Sequence, residues 1–357
     1  MTVAFYISGH GFGHASRSIA VINALLDRQP GLRIVIRSEV APWLVARTAR
    51  PGVTLETVAC DTGVVQADSL HLDEAATLAR ARAFMATFGE RVAAEASWLR
   101  QVGAAVVVAD IPPLGIAAAH AAGLPGIALG NFTWDWIYAG YNGSDDLVDM
   151  IGDIYRHTTL ALRLPMWGGF ATMPNVIDLP FVARRSGRDP AAVRRLLHLP
   201  AGERLALVSF GGYGVDGLRV EALRRLAGYR VLLPGDVNEP AMYDQGLHYE
   251  DLVRAVDVVV SKPGYGIVSE CLANDTALLY TSRGHFVEYD VLVAAMPRFL
   301  RAAFIDQAEL FSGNWAPHLE ALLDQPAPPE QPATNGADVA ATQILELIED
   351  KKIRSKK

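Results

Sequence analysis

The sequence predicts an α/β protein of two doubly wound domains, and three observations carry that expectation. Short, almost wholly apolar runs alternate with helical patterns in both halves of the chain. In each half a glycine-rich turn follows one such run, "SGHGFGHASR" at residues 8–17 and "KPGYGIVSE" at 262–270. Between the halves, Pro165, Pro174, Pro180 and Pro190 punctuate a stretch with no period, the mark of a linker. The length agrees, since 357 residues exceed what one core usually fills.

The first domain, residues 1–165, opens with the strand "TVAFYIS", a helix over 15–27 and the strand "LRIVIRS". "APWLVARTA" reads as helix, "VTLETVA" as strand, and residues 73–101 as one long helix. The strand "AAVVVAD" follows, then the helix "GIAAAHAAG" stopped by Gly123, then the strand "PGIALG". Residues 166–190 form the expected linker. The second domain, 191–325, takes up "PAAVRRLLHL" as helix, and the strand "RLALVSF" runs into the turn "GGYG". "YRVLLPG" (strand), "YEDLVRAV" (helix), "DVVVSK" (strand), "PGYGIVSECLAN" (turn into helix) and "TALLYTS" (strand) complete it. Residues 326–357 hold a flexible connector, a closing helix "ADVAATQILELIED" and a frayed basic tail.

Composition excludes several classes. A formal charge of −7, with no basic run except the tail, argues against nucleic acid as main partner. Two cysteines, Cys60 and Cys271, are too few for a disulfide scaffold and fit a reducing cytosol. No secretory leader pattern is present, and the apolar stretch around residues 102–130 is broken by Asp110, Pro112, Pro113, His120 and Pro125, against a membrane span. The expected location is the cytoplasm. No His, Cys, Asp and Glu spacing suits a metal.

In doubly wound sheets ligands sit outside the strand carboxyl ends. A glycine turn there in each domain implies a cleft between the two. Gly9, Gly11 and Gly13 let backbone approach a ligand, and a following helix offers unpaired N–H groups. His10 and His14 add groups that exchange protons near neutral pH; the bland reading is a tight turn with two solvated histidines. Asp110, ending a strand, could orient a histidine or cap the next helix.

Three stretches in this order, "SGHGFGHASRSIAVINALL", "VVVADIPPLGIAAAHAAGLPGIAL" and "KPGYGIVSECLANDTALLYTSRGHFVEYD", resemble GT-B glycosyltransferases, whose two Rossmann-like domains face each other across a cleft. With "GHGFGHASR", "CDTGVVQADSLHLD", "NFTWDWIY", "VIDLPFVARR", "SFGG" and "GYGIVSE", residues 4–345 more closely resemble the N-terminal glycosyltransferase-like region of plant L-arabinokinases. Those proteins continue into a GHMP-type sugar kinase, whose phosphate loop has no match here, so kinase activity is not expected.

The resemblance implies an inverting, metal-independent transferase without a cofactor, using a nucleotide-sugar co-substrate, UDP-linked by expectation, and an acceptor it does not identify. His14 would be the general base and Asp110 its partner, with His10 the rival on the acceptor side or at a phosphate. In the second domain Glu270 would accept ribose hydroxyls, while Gly264, Tyr265 and Gly266 would cradle the diphosphate. Lys262 stands where relatives carry a histidine near phosphate, and Ser209, Gly211 and Gly212 of "SFGGYG" would close over the donor with Gly13. Glu288 and Asp290 of "GHFVEYD" would meet donor-sugar hydroxyls, although Tyr289 replaces a glutamine of the pattern. Asp61, Gln66, Asp68, Trp134 and Asp135 are candidates for the acceptor side, with Trp134 and Trp136 on opposite faces if extended. A UDP-sugar 2-epimerase or hydrolase would share this architecture, and a nucleotide-sugar sensor is the non-catalytic rival. A homodimer is the assembly considered.

Overall fold

The computed structural model describes residues 1–354 apart from Tyr213. Chain order begins β1 (Thr2–Ile7), α1 (Phe12–Arg28), β2 (Arg33–Arg37), α2 (Pro42–Thr48), β3 (Val53–Glu56), β4 (Val65–Gln66) and β5 (Leu72–Asp73). It continues through α3 (Glu74–Ala86), α4 (Phe88–Gln101), β6 (Ala104–Asp110), α5 (Pro113–Ala122), β7 (Gly126–Phe132), α6 (Trp134–Ala139), α7 (Asp145–Tyr155), β8 (Leu160–Gly168) and β9 (Val176–Asp178). The second half adds α8 (Pro190–Leu196), β10 (Arg204–Val208), α9 (Val220–Arg224), β11 (Tyr229–Leu232), α10 (Glu239–Asp244), α11 (Tyr249–Ala255) and β12 (Val258–Ser261). Then come α12 (Tyr265–Asn274), β13 (Ala277–Tyr280), α13 (Glu288–Ala295), β14 (Ala302–Phe304), α14 (Gln307–Ser312), α15 (Ala316–Leu323) and α16 (Gly336–Arg354).

The chain forms two compact units. The first holds a seven-stranded sheet in the order β3-β2-β1-β6-β7-β8-β9, the second a five-stranded sheet in the order β11-β10-β12-β13-β14. Adjacent strands pair in parallel within each. Their cores explain why: Val3 through Ile7 and Val106 through Ala109 are wholly buried, as are Val258 through Val260. Strands buried on both faces need helices above and below, and the helices between the strands supply them.

The units follow different boundaries from those expected. Residues 1–65, 73–182 and 335–357 make the first, and 66–72 with 183–334 the second. Part of the expected linker is sheet: β8 runs past Pro165 to Gly168, and the edge strand β9 pairs with it only from Ala161 to Arg163, so Pro165 lies beyond that ladder, where proline is tolerated. α16 returns to the first unit and packs on α1, with Arg28 Nη1 donating to Asp338 Oδ1 at 2.6 Å. Part of the basic tail, residues 355–357, lies outside the described residues. The segment Gln66–Leu72 packs in the second unit, where Leu70 is 1% exposed and Ser69 Oγ donates to the Phe210 carbonyl at 2.6 Å.

The long helix expected over 73–101 is two helices, α3 and α4, parted at Thr87, whose ψ of 13° departs from helical geometry. Its β-branched hydroxyl donates to the Phe84 carbonyl at 3.3 Å and accepts from Arg91 Nε at 3.0 Å, a local alternative to the helical ladder. α5 ends where expected, with Gly123 left-handed at φ 69°. Among the described residues no helix is long and apolar enough to cross a membrane.

Candidate functional site

In the first unit the chain leaves β1 for β2 and β3 on one side, while β6 leads to β7, β8 and β9 on the other. The switch point therefore lies between β1 and β6, which register Ile7 opposite Asp110, and Ser8 N donates to the Asp110 carbonyl at 2.9 Å. His14 stands in the first turn of α1, the helix that follows β1, and Asp110 ends β6. Topology alone brings them together: His14 Nδ1 is 2.8 Å from Asp110 Oδ1.

Asp110 is fully buried, and no side chain caps α5, so its role is not the helix cap. Three further contacts hold it: Arg17 Nε donates to Oδ2 at 2.8 Å, Arg17 Nη2 to Oδ1 at 2.5 Å, and Ser18 Oγ to Oδ2 at 2.7 Å. Burial pushes the carboxyl up, but the Arg17 charge and hydrogen bonds, with His14, outweigh it and hold it at about 2. An ionised Asp110 accepts from Nδ1–H more strongly than a neutral imidazole would accept from Arg17, whose Nη2 stands 3.0 Å away. That tautomer leaves the lone pair on Nε2, and among the described residues nothing hydrogen-bonds Nε2. Phe132 meets the imidazole edge to face at 5.5 Å. Arg17, Ser18 and Asn131, which accepts from Arg17 Nη1 at 2.6 Å, were not among the sequence candidates. The available signal was spacing, since residues three and four beyond His14 share its helix face.

The glycine turn is only partly constrained. Gly11 has φ 74° and caps α1 with no side chain, whereas a Cβ at Gly13 would meet nothing. His10 packs against Gly63, where a Cβ would come within 2.8 Å of its ring. Asp61 accepts from Ser8 Oγ at 3.0 Å and Trp134 Nε1 at 2.9 Å, and burial raises its pKa despite opposing help from His14 and both donors. It lines an open pocket with Phe84, Met85, Phe88, Trp134 and Tyr138. Phe84, Met85 and Phe88 went unnoticed in the sequence because a helix pattern shows a stripe, not what the stripe faces.

Three expectations for the acceptor side change. "NFTWDWIY" is not extended: α6 starts at Trp134, which is 1% exposed, stacks on Tyr138 at 5.6 Å and borders the pocket beside Asp61. Asp135 turns inward, accepting from Trp136 N at 2.9 Å and Thr172 Oγ1 at 3.4 Å. Gln66 and Asp68 belong to the second unit, where Asp68 accepts from Leu70 N at 2.7 Å and His71 N at 3.0 Å. A polar loop carries no sequence mark of the core it will join.

The second unit has its own switch point, between β10 and β12. Ser209 follows β10 and Lys262 follows β12, and Ser261 Oγ donates to the Ser209 carbonyl at 2.5 Å. Ser209 Oγ lies 2.5 Å from Tyr249 Oη, and Gly211 has φ 75°; Tyr213 of the same turn lies outside the described residues. Gly264 caps α12 without a side chain, Tyr265 is buried at its first position and Gly266 follows. Glu270 is 5% exposed rather than a solvated helix residue. Arg184 Nε donates to its Oε1 at 2.7 Å, Arg184 Nη2 contacts the same oxygen, and Arg184 Nη1 is 3.3 Å from Glu250 Oε2. Burial raises the Glu270 carboxyl and Arg184 opposes that. Among the described residues nothing hydrogen-bonds Oε2. Glu288 is buried at the start of α13, while Asp290 is exposed.

No family model matches the chain. The L-arabinokinase of Arabidopsis thaliana is 29% identical over 364 residues, covering 97% of this chain and 34% of that protein, so the chain spans about a third of its relative. A glycotransferase of kitacinnamycin has TM-score 0.60 at 16% identity, covering 99% of this chain and 98% of that one. The fold is GT-B. A UGT of Phytolacca americana, solved with UDP-2-fluoroglucose and pterostilbene, agrees at TM-score 0.56 and 12% identity, covering 98% and 94%.

Proposed function

We propose that the protein transfers a sugar from a UDP-linked donor to an acceptor hydroxyl, with inversion and without a metal. The observation that carries this reading is the buried His14–Asp110 pair at the first switch point. With Nδ1–H held by Asp110, Nε2 would take the hydroxyl proton as the oxygen attacks the anomeric carbon. The bond from that carbon to the diphosphate breaks on the opposite face, and the nucleoside diphosphate leaves. The pocket beside Asp61 would seat the acceptor.

The second unit would bind the donor. The uncapped first turn of α12 aims N–H groups at an anion, and Lys262 adds a cation where charge develops on the leaving group. Glu270 Oε2 would accept ribose hydroxyls while Arg184 keeps Oε1. Glu270→Gln preserves the side-chain shape and is expected to weaken nucleotide binding by about 1.5–3 kcal/mol, the worth of a lost charge-assisted bond. Calorimetry on a folded variant checks this, and unchanged affinity removes the role.

A thermal-shift screen over UDP, GDP, dTDP and their sugars tests the donor class. Ligand at about 100 times its dissociation constant should add roughly 2.7 kcal/mol of stability. Donor turnover with and without acceptors then separates transfer from hydrolysis, epimerisation and mere sensing. An α-linked donor should give a β-glycoside by NMR, at nearly full rate in excess EDTA. An α product, or a rate that vanishes until magnesium or manganese is restored, would overturn inversion or metal independence respectively.

A further inference from the structure

β12 and β13 end side by side, with Ser261 registered opposite Tyr280. Lys262 is the first residue beyond β12 and Arg283 the third beyond β13, so both leave the same carboxyl edge of the second sheet. Arg283 is 4% exposed, its Nη1 donates to the Pro263 carbonyl at 3.3 Å within the glycine turn, and its guanidinium lies over Phe286 at 4.1 Å. Lys262 is half-buried and within electrostatic reach of that charge, with the buried Glu288 as the opposing carboxylate. In this cluster, among the described residues, the Arg283 charge outweighs the opposing Glu288 at Lys262. The cluster stands before the first turn of α12, which has neither a side-chain cap nor an acidic residue. Like charges brought together out of water are unfavourable until an anion joins them.

The geometry points to Arg283 as the second cation of a diphosphate seat, which Lys262 completes by taking up a proton when the anion binds. This deepens the donor-binding reading above and rests on it. In the empty protein, burial and then the Arg283 charge push the Lys262 amine down to about 7, with Glu288 opposing. Above that pH the amine is mostly neutral, and an arriving diphosphate restores its charge by drawing a proton from the buffer. Binding is therefore linked to pH: above about pH 7 affinity for the fully ionised diphosphate falls by up to about tenfold per unit, until the bound-state pKa is reached.

Calorimetry of the whole chain with UDP, uridine and inorganic pyrophosphate, at pH 7.5 and 8.5, where the terminal phosphate of UDP is already ionised, in buffers of different ionisation enthalpy, tests this. UDP should bind more weakly at pH 8.5, with close to one proton taken up there, whereas uridine should show neither effect; pyrophosphate, which carries a proton of its own at that pH, reports affinity alone. Arg283→Gln should weaken UDP and pyrophosphate about 10- to 100-fold and leave uridine unchanged. Lys262→Arg, charged at both pH values, should bind UDP with no pH dependence and no proton uptake. UDP affinity that is equal at both pH values without proton exchange in the parent protein, or an Arg283→Gln protein binding UDP like the parent, overturns the inference and spares the nucleotide-sugar reading. Pyrophosphate bound, and weakened by Arg283→Gln, while no nucleotide binds does the reverse. Binding of neither overturns both.

Discussion

His14→Ala is expected to keep the fold and nucleotide affinity yet lose about 10²–10⁴ in turnover, the usual worth of a general base. The substitution is clean for a structural reason. Asp110 keeps its bonds from Arg17 and Ser18 when the imidazole goes, so no buried charge is stranded. Asp110→Asn should also slow turnover by releasing the imidazole, but it leaves the buried Arg17 without its carboxylate and so confounds catalysis with folding. Steady-state rates on a donor and acceptor, beside calorimetry of nucleotide binding, decide the matter. A His14→Ala protein at full speed would sink the mechanism and leave the fold untouched. His10→Ala is the companion measurement, because that ring packs on Gly63 and is the rival base.

The parallel sheets and the His14–Asp110 pair were legible because both follow from pattern and order along the chain. Apolar runs such as "AAVVVAD" can lie only in a sheet covered on both faces, and a turn after the first strand must meet the end of its neighbour across the switch point. What stayed hidden depends on partners distant in sequence. Arg17 sits on an amphipathic helix, where an arginine normally reads as surface, and only the arrival of Asp110, 93 residues on, makes it core. Arg184 lay in a proline-punctuated stretch that reads as linker, and its burial follows from Glu270 and Glu250. The helical fold of "NFTWDWIY" and the place of Asp68 stayed hidden for a related reason. A run of aromatics or a polar loop says that something is bound nearby, and here the partners are Asp61, Tyr138 and the backbone of the same loop.

Arg17→Met should be the most damaging single change to the first unit. Removing one partner of a buried ion pair costs about 3–5 kcal/mol, because the remaining charge stays desolvated. Here Asp110 would keep only Ser18 and His14, and Asn131 would lose its donor. The loss carries a pH signature whose sign follows from the carboxyl. In the parent protein Asp110 titrates at about 2, below its ordinary 3.8, so its contribution is present above pH 4 and is lost as pH falls toward 2. That difference is worth about 2 kcal/mol. Without Arg17, burial dominates and the carboxyl rises, so acid protonates it and relieves the unpaired charge in the variant alone. The gap between parent and variant should therefore be widest at neutral pH and narrow by about 2 kcal/mol or more on going to pH 3. Guanidinium unfolding of both proteins at pH 7 and pH 3 measures it. A gap that does not change with pH would mean that Arg17 supports the fold by packing alone and that Asp110 is held ionised by other groups.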